Sequence, residues 1–185
     1  MPDLRAEDVL PFLRAVHDAP DDDLPRLVFA DWLDERGDWR GPLLRRPAPA
    51  DGCNDEPAAA DWLARFGWMP HVSVHCRRGL LAVRLLGIDL LPRTIVPRLA
   101  EALRQGWVEH AAVGGASALD RRSAAVLAEV PSLTLYHLTD AELAGVLPAL
   151  PRLRGLTLIG HHLTDGGLER LRNLPRLRRL RVGRC

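Results

Sequence analysis

The chain has 185 residues, of which 47% are hydrophobic and 26% charged, and its formal net charge is +1 at neutral pH. That apolar content supports a packed core and excludes a wholly disordered chain. No apolar run reaches the roughly 18 residues of a membrane span, and Cys53, Cys76 and Cys185 form no Cys-x-x-Cys pair, which argues against a disulfide framework or a zinc knuckle.

The start, Met1-Pro2-Asp3-Leu4, lacks the basic-then-apolar layout of a secretory leader, so a cytoplasmic protein with no membrane partner is expected. Charge is unevenly placed. Residues 1–40 hold 11 acids against 5 arginines, a balance of −6, whereas residues 152–184 hold 9 arginines against Asp165 and Glu169, a balance of +7. Such polarity steers an oppositely charged partner or favours head-to-tail self-association; two solvated faces account for it equally well.

In chain order, Val9, Leu10, Leu13 and Val16 recur at helical spacing and predict a helix over 4–18, capped by Asp3 and interrupted by Pro11. A second helix follows over 24–36, with Asp22 or Asp23 as N-cap, Pro25 in the first turn and Gly37 in the left-handed position past its end. Asp31, between apolar neighbours, is expected to form a buried or half-buried ion pair with Arg26, Arg36 or Arg40. The acids from Asp21 to Asp23, with Asp31, Asp34, Glu35 and Asp38, are oxygen ligands of the kind Mg2+ and Ca2+ prefer, but they match no EF-hand spacing. Capping and turn formation explain them better.

The string from Asp21 to Asp38, Asp-Asp-Asp-Leu-Pro-Arg-Leu-Val-Phe-Ala-Asp-Trp-Leu-Asp-Glu-Arg-Gly-Asp, closely resembles the signature of the bacterial repeat-companion domain. The resemblance covers about residues 6–46. It implies a helical module preceding a repeat region, often a leucine-rich one, and implies no catalytic activity. Pro42, directly after Gly41, departs from the family pattern and predicts a shortened third helix. Residues 47–61 are rich in Pro, Ala and acids and read as a linker, with a docking helix over 58–66 whose Trp62 and Phe66, with Trp68, form an apolar seam.

Self-comparison then reveals repeats. Leu153-x-x-Leu156-x-Leu158 returns as Leu177-x-x-Leu180-x-Val182, and it is preceded by Val130-x-x-Leu133-x-Leu135, by Val108-x-x-Ala111-x-Val113 and, more loosely, by Leu80-x-x-Val83-x-Leu85. The starts are 28, 22, 23 and 24 residues apart, in the range of leucine-rich repeats. Each unit is expected to be a strand and then a helix, with helices over 93–105, 118–129, 140–149 and 165–173. Thr139-Asp140 and Thr164-Asp165 would cap the last two helices, and Pro151 and Pro175 mark the exits.

The expected fold class is therefore α/β: a short leucine-rich-repeat solenoid, one strand and one helix per repeat, behind an N-terminal helical hairpin. The expected domains are 1–46, a linker over 47–70 and the solenoid over 71–185. Residues alternating with the strand leucines face the concave side, and Arg84, His110, Thr134, Tyr136, Thr157, Ile159, Arg179 and Arg181 are the candidate partner-binding residues. The last unit has no cap after it, so its edge invites self-association unless its arginines act as charged gatekeepers.

The sequence shows no Gly-x-Ser-x-Gly, phosphate-binding loop or His-Glu-x-x-His, and no catalytic, cofactor or metal site is expected. His137, His161 and His162, and His71, His75 and Cys76, read as surface residues rather than ligands. The expected function is non-catalytic binding of a protein partner. The alternatives are a nucleic-acid-associated protein using the arginine edge, disfavoured because no aromatic side chains interleave with it, and a metal-dependent enzyme using the acidic cluster.

Overall fold

The computed structural model of the chain describes residues 4–47, 60, 64, 72–85, 103, 105–114, 127–160 and 162–183. The chain is α/β. Its strands are β1 (Val72–Arg77), β2 (Leu80–Leu85), β3 (Val108–Val113), β4 (Ser132–Tyr136), β5 (Gly155–Ile159) and β6 (Arg179–Gly183), joined in that order into one mostly parallel sheet. Two compact units are distinguished: residues 1–68, 74–82 and 105–109, and residues 69–73, 83–104 and 110–185. Among the described residues no helix is long and apolar enough to cross a membrane. The predicted linker and the helices expected over 58–66, 93–105 and 118–129 fall largely outside the described residues.

The first unit opens with α1 (Ala6–Asp18), which buries Val9, Leu13 and Val16 on one stripe. Pro11 lies inside α1 and does not end it. The helical bond it cannot make would go to the Glu7 carbonyl, and both residues are exposed, so water takes over. The next helix, α2 (Leu24–Asp34), buries Arg26, Phe29, Ala30 and Leu33. Its N-cap is Asp23, and Asp22 Oδ1 accepts the Leu24 N–H at 2.9 Å. The end of α2 is a Schellman turn: Asp38 N–H reaches the Leu33 carbonyl, Gly37 N–H reaches that of Asp34, and Gly37 has φ +65°.

The expected burial of Asp31 is corrected. Its side chain is 69% exposed and is bonded by Arg45, which also bonds Asp34. Asp31 follows Ala30 by one residue, which turns it about 100° around the helix and away from the buried stripe. Among the described residues, Asp38 with Arg40 and Arg26 with Glu109 form buried ion pairs in this unit.

The third helix, α3 (Arg40–Leu44), is short, as Pro42 suggested. It packs against α2 at Gly41, where a Cβ would fall 1.9 Å from Asp34 Oδ1 and 3.0 Å from the Ala30 carbonyl oxygen. Phe12 stacks on Phe29 with centroids 5.4 Å apart, and Trp32 and Trp107 extend the aromatic cluster.

Between β1 and β2 the turn is only Arg78 and Gly79, with φ of 48° and 74°. Two residues of positive φ make a type I′ hairpin, so these strands run antiparallel. This hairpin was not expected. The loosely fitting Leu80 unit is its second arm.

In the second unit β3, β4, β5 and β6 are parallel neighbours, with Ala111, Leu133, Leu156 and Leu180 in one row and Val113, Leu135, Leu158 and Val182 in another. Those rows step by 22, 23 and 24 residues, the same steps as the sequence spacing. Leu133, Leu135, Leu156 and Leu158 are buried together with Leu143, Val146, Leu150, Leu153, Leu171 and Leu174.

The strands alternate with α4 (Asp140–Val146), followed by a 3-10 turn over Leu147–Ala149, and α5 (Asp165–Glu169), followed by another over Arg170–Asn173. Both predicted caps form. Thr139 and Glu142 make a full capping box, and Thr164 Oγ1 accepts the Gly167 N–H. The units also share a backbone device: the Pro131 carbonyl accepts the N–H groups of Arg154 and Gly155, and the Arg154 carbonyl those of Arg178 and Arg179.

Candidate functional site

The side chains alternating with the buried leucines form three rows. His110, Ser132, Gly155 and Arg179 make the first, Ala112, Thr134, Thr157 and Arg181 the second, and Tyr136, Ile159 and Gly183 the third. Parallel in-register pairing brings them together, because residues two apart on each strand share a face and each strand repeats its neighbour's phase.

Seven of the eight predicted residues fall in these rows, and Arg84 is exposed on β2. Tyr136 and Ile159 are half-buried register partners, forming an aromatic and aliphatic pair open on one side. Arg179 and Arg181 are exposed at the β6 end. Thr134 differs from Tyr136, Ile159, Arg179 and Arg181 in being only 7% exposed, so it offers little contact surface of its own.

His110 lies across two hydroxyls. Its Nδ1 is 3.1 Å from Ser132 Oγ and its Nε2 is 3.3 Å from Thr134 Oγ1. Each ring nitrogen is thus within hydrogen-bond reach of a hydroxyl, a group that can donate or accept. Gly155 makes room for this, since a Cβ there would stand 3.1 Å from Ser132 Oγ.

Ser132 also alternates with the strand leucines, and its 22-residue offset from His110 equals the repeat step and signals the pairing. The distance between Ser132 and His110 suits a nucleophile and its base, but the second ring nitrogen meets a hydroxyl where such chemistry calls for an orienting acid. Among the described residues, no carboxylate stands in the three rows. The face offers hydroxyls, one imidazole, an aromatic and aliphatic pair and two guanidinium groups.

Other sequence candidates have structural employment. Asp22 caps Leu24, and Arg78 bonds Asp23 at 2.8 Å, which holds the Asp23 carboxyl below its ordinary value. His137 has φ 56° in the turn after β4, where Gly160 has φ 60° in the turn after β5, and its Nδ1 lies 3.0 Å from the Gly160 carbonyl oxygen. His162 bridges to Thr139. Among the described residues no group of three or more His, Cys, Asp or Glu side chains is placed to hold a metal ion; His71 and His161 lie outside them.

No protein-family model, no curated protein and no solved structure matches this chain.

Proposed function

We propose that the chain is a non-catalytic protein-binding module: a repeat-companion helical segment followed by a short leucine-rich-repeat solenoid that recognises its partner through the face bearing Tyr136 and Ile159. The observation that carries this reading is the strand register. Successive rows step by 22, 23 and 24 residues while apolar side chains return to one face each time. One side is spent on the leucine core, and the other is left with polar, aromatic and basic groups. Stacked repeats use such a face for extended contact with another macromolecule. Tyr and Arg are the side chains that contribute most to interface energetics, and Tyr136 with Arg179 and Arg181 brackets the face.

The test is capture of binding proteins by the native chain and by a Tyr136→Ala, Ile159→Ala double variant, followed by titration of any captured protein after purification. The expected result is a partner bound by the native chain and at least ~30-fold more weakly by the variant, at an unchanged unfolding midpoint, as loss of two hot-spot side chains implies. Equal binding by both chains overturns the assignment of the face. Turnover of a substrate dependent on His110 and Ser132 would overturn the non-catalytic reading.

A further inference from the structure

Two positions of β6, on the face that carries Tyr136 and Ile159, differ sharply in chemistry. Gly183 is the register partner of Ile159, which pairs in turn with Tyr136. Having no side chain, Gly183 leaves that flank of Ile159 bare, and a Cβ placed there would stand 3.8 Å from Ile159 Cγ1. The result is a notch floored by the Gly183 backbone and walled by Ile159, with Tyr136 on the strand beyond.

Arg181 lies two residues earlier on the same strand and so brings its guanidinium to the same face, in register with Thr157. Among the described residues nothing bonds that guanidinium, and no carboxylate stands in the three rows of the face. An apolar notch and an uncompensated cation are thus fixed side by side by the strand pairing, on the side of the sheet turned away from the leucine core.

We infer that this part of the face binds an extended acidic peptide segment, whose apolar side chain fills the notch at Gly183 and whose carboxylate, two residues away, meets Arg181. The spacing decides the form. Positions two apart on a strand stand about 6.6–6.8 Å apart, which is also the separation of the side chains i and i+2 on one side of an extended segment laid along β6. The motif is therefore apolar-x-acid. Nucleic acid fits less well, because a phosphate backbone draws its affinity from many cations along a track. Here the rows carry guanidinium groups on β6 alone among the described residues, and the neighbouring notch is apolar and one side chain wide. The inference rests on the face reading above and adds the chemistry of the partner.

The test titrates the full 185-residue chain into a fluorescent, end-capped peptide carrying a single Leu-Ser-Glu in a Gly-Ser background, with anisotropy as the readout. Leu-Ser-Gln and Leu-Ser-Ser-Glu peptides and a single-stranded oligonucleotide are the comparisons. Two variants separate the contributions. Arg181→Gln removes the charge, and Gly183→Val fills the notch. Gly183 lies outside the left-handed region and its Cβ would meet Ile159 at ordinary contact distance, so both variants should keep the native unfolding midpoint.

The native chain should bind Leu-Ser-Glu about tenfold or more tightly than Leu-Ser-Gln or Leu-Ser-Ser-Glu, and added salt should narrow the gap. Arg181→Gln should abolish the preference for Glu over Gln, whereas Gly183→Val should weaken both peptides alike. Failure to bind at about 1 mM chain overturns the inference. So does equal affinity for the three peptides, a preference for Glu that survives Arg181→Gln, tighter binding of the oligonucleotide, or sedimentation showing a dimer that Gly183→Val dissolves. The face reading fails separately. A captured partner that tolerates Tyr136→Ala, Ile159→Ala refutes the face itself, whereas one lost with that variant but retained by Arg181→Gln and Gly183→Val overturns the acidic segment alone.

Discussion

Asp38 and Arg40 show how a polar pair is made tolerable inside an apolar unit. The guanidinium meets both carboxylate oxygens, at 2.8 and 2.7 Å, the Arg40 N–H adds a third bond to Oδ1, and the guanidinium carbon lies 3.8 Å from the centre of the Trp107 ring. With side chains 0% and 5% exposed, removal of one partner strands a buried charge. Arg40→Ala should therefore cost about 3–5 kcal/mol, measured by urea unfolding.

Burial pushes the Asp38 carboxyl up, but the side-chain and backbone hydrogen bonds from Arg40, with its charge, outweigh that and hold it below 3.8. A depressed carboxylate contributes stability that is present above its unfolded value and lost as pH falls through its folded one. Asp23, bonded by Arg78, and Asp140, bonded by Thr164, shift in the same direction. Stability should thus hold from neutral pH to about 4 and fall below it. Asp38→Asn should lower the neutral-pH value while flattening that acid decline, and an unchanged acid slope would remove Asp38 from the account. At Gly41, where even a methyl group meets Asp34 and the Ala30 backbone, Gly41→Ala should cost about 1–3 kcal/mol in the same assay.

Thr139 and Thr164 separate capping from coupling between elements. Thr139 closes a capping box within its own helix, whereas Thr164 caps α5 and also donates both its N–H and its hydroxyl to Asp140 at the start of α4. Thr139→Ala should cost about 1 kcal/mol. Thr164→Ala should cost more, and a Thr164→Ala, Asp140→Ala double-mutant cycle should return a favourable coupling that Thr139 and Asp140 lack.

These caps were legible because Leu-Thr-Asp occurs twice, from Leu138 and from Leu163, and a hydroxyl before an acid at the head of an apolar run has one common use. The β1–β2 hairpin was not legible. Its Arg78-Gly79 turn puts a bulky side chain at φ 48°, where Asn or Asp is the ordinary signal, so the apolar run from Leu80 reads as one more repeat strand. Asp31 misled for another reason: apolar neighbours in sequence say little on a helix, whose faces are set by residues three and four apart. His110 was singled out, but its grip on Ser132 and Thr134 emerges only when β3 and β4 are laid side by side.

At the scale of the whole molecule, the sheet rather than any helix keeps the repeating part in phase. The leucine rows are continuous from β3 to β5, so a cavity in one strand is felt by both neighbours. Leu158→Ala should cost about 2–5 kcal/mol, measured by denaturant unfolding, while Leu180→Ala, at the exposed end of the same sheet, should cost less than half as much. Equal losses would mean that Leu180 is covered in solution.

The shared carbonyl of Pro131 and Arg154 also bears on how such a chain can change in length. Each of these carbonyls accepts from the start of the next strand, and each is followed, after one strand and one capped turn, by a helix of similar path. The acceptor left by one unit is the acceptor the following unit needs. A duplicate of residues 132–154, spliced in directly after Arg154, would meet the same bonds on both sides, because its 23-residue span equals the β4–β5 step. Growth by whole units then keeps the leucine rows in phase, while insertion of half a unit would set a helical segment where a strand belongs and break those rows.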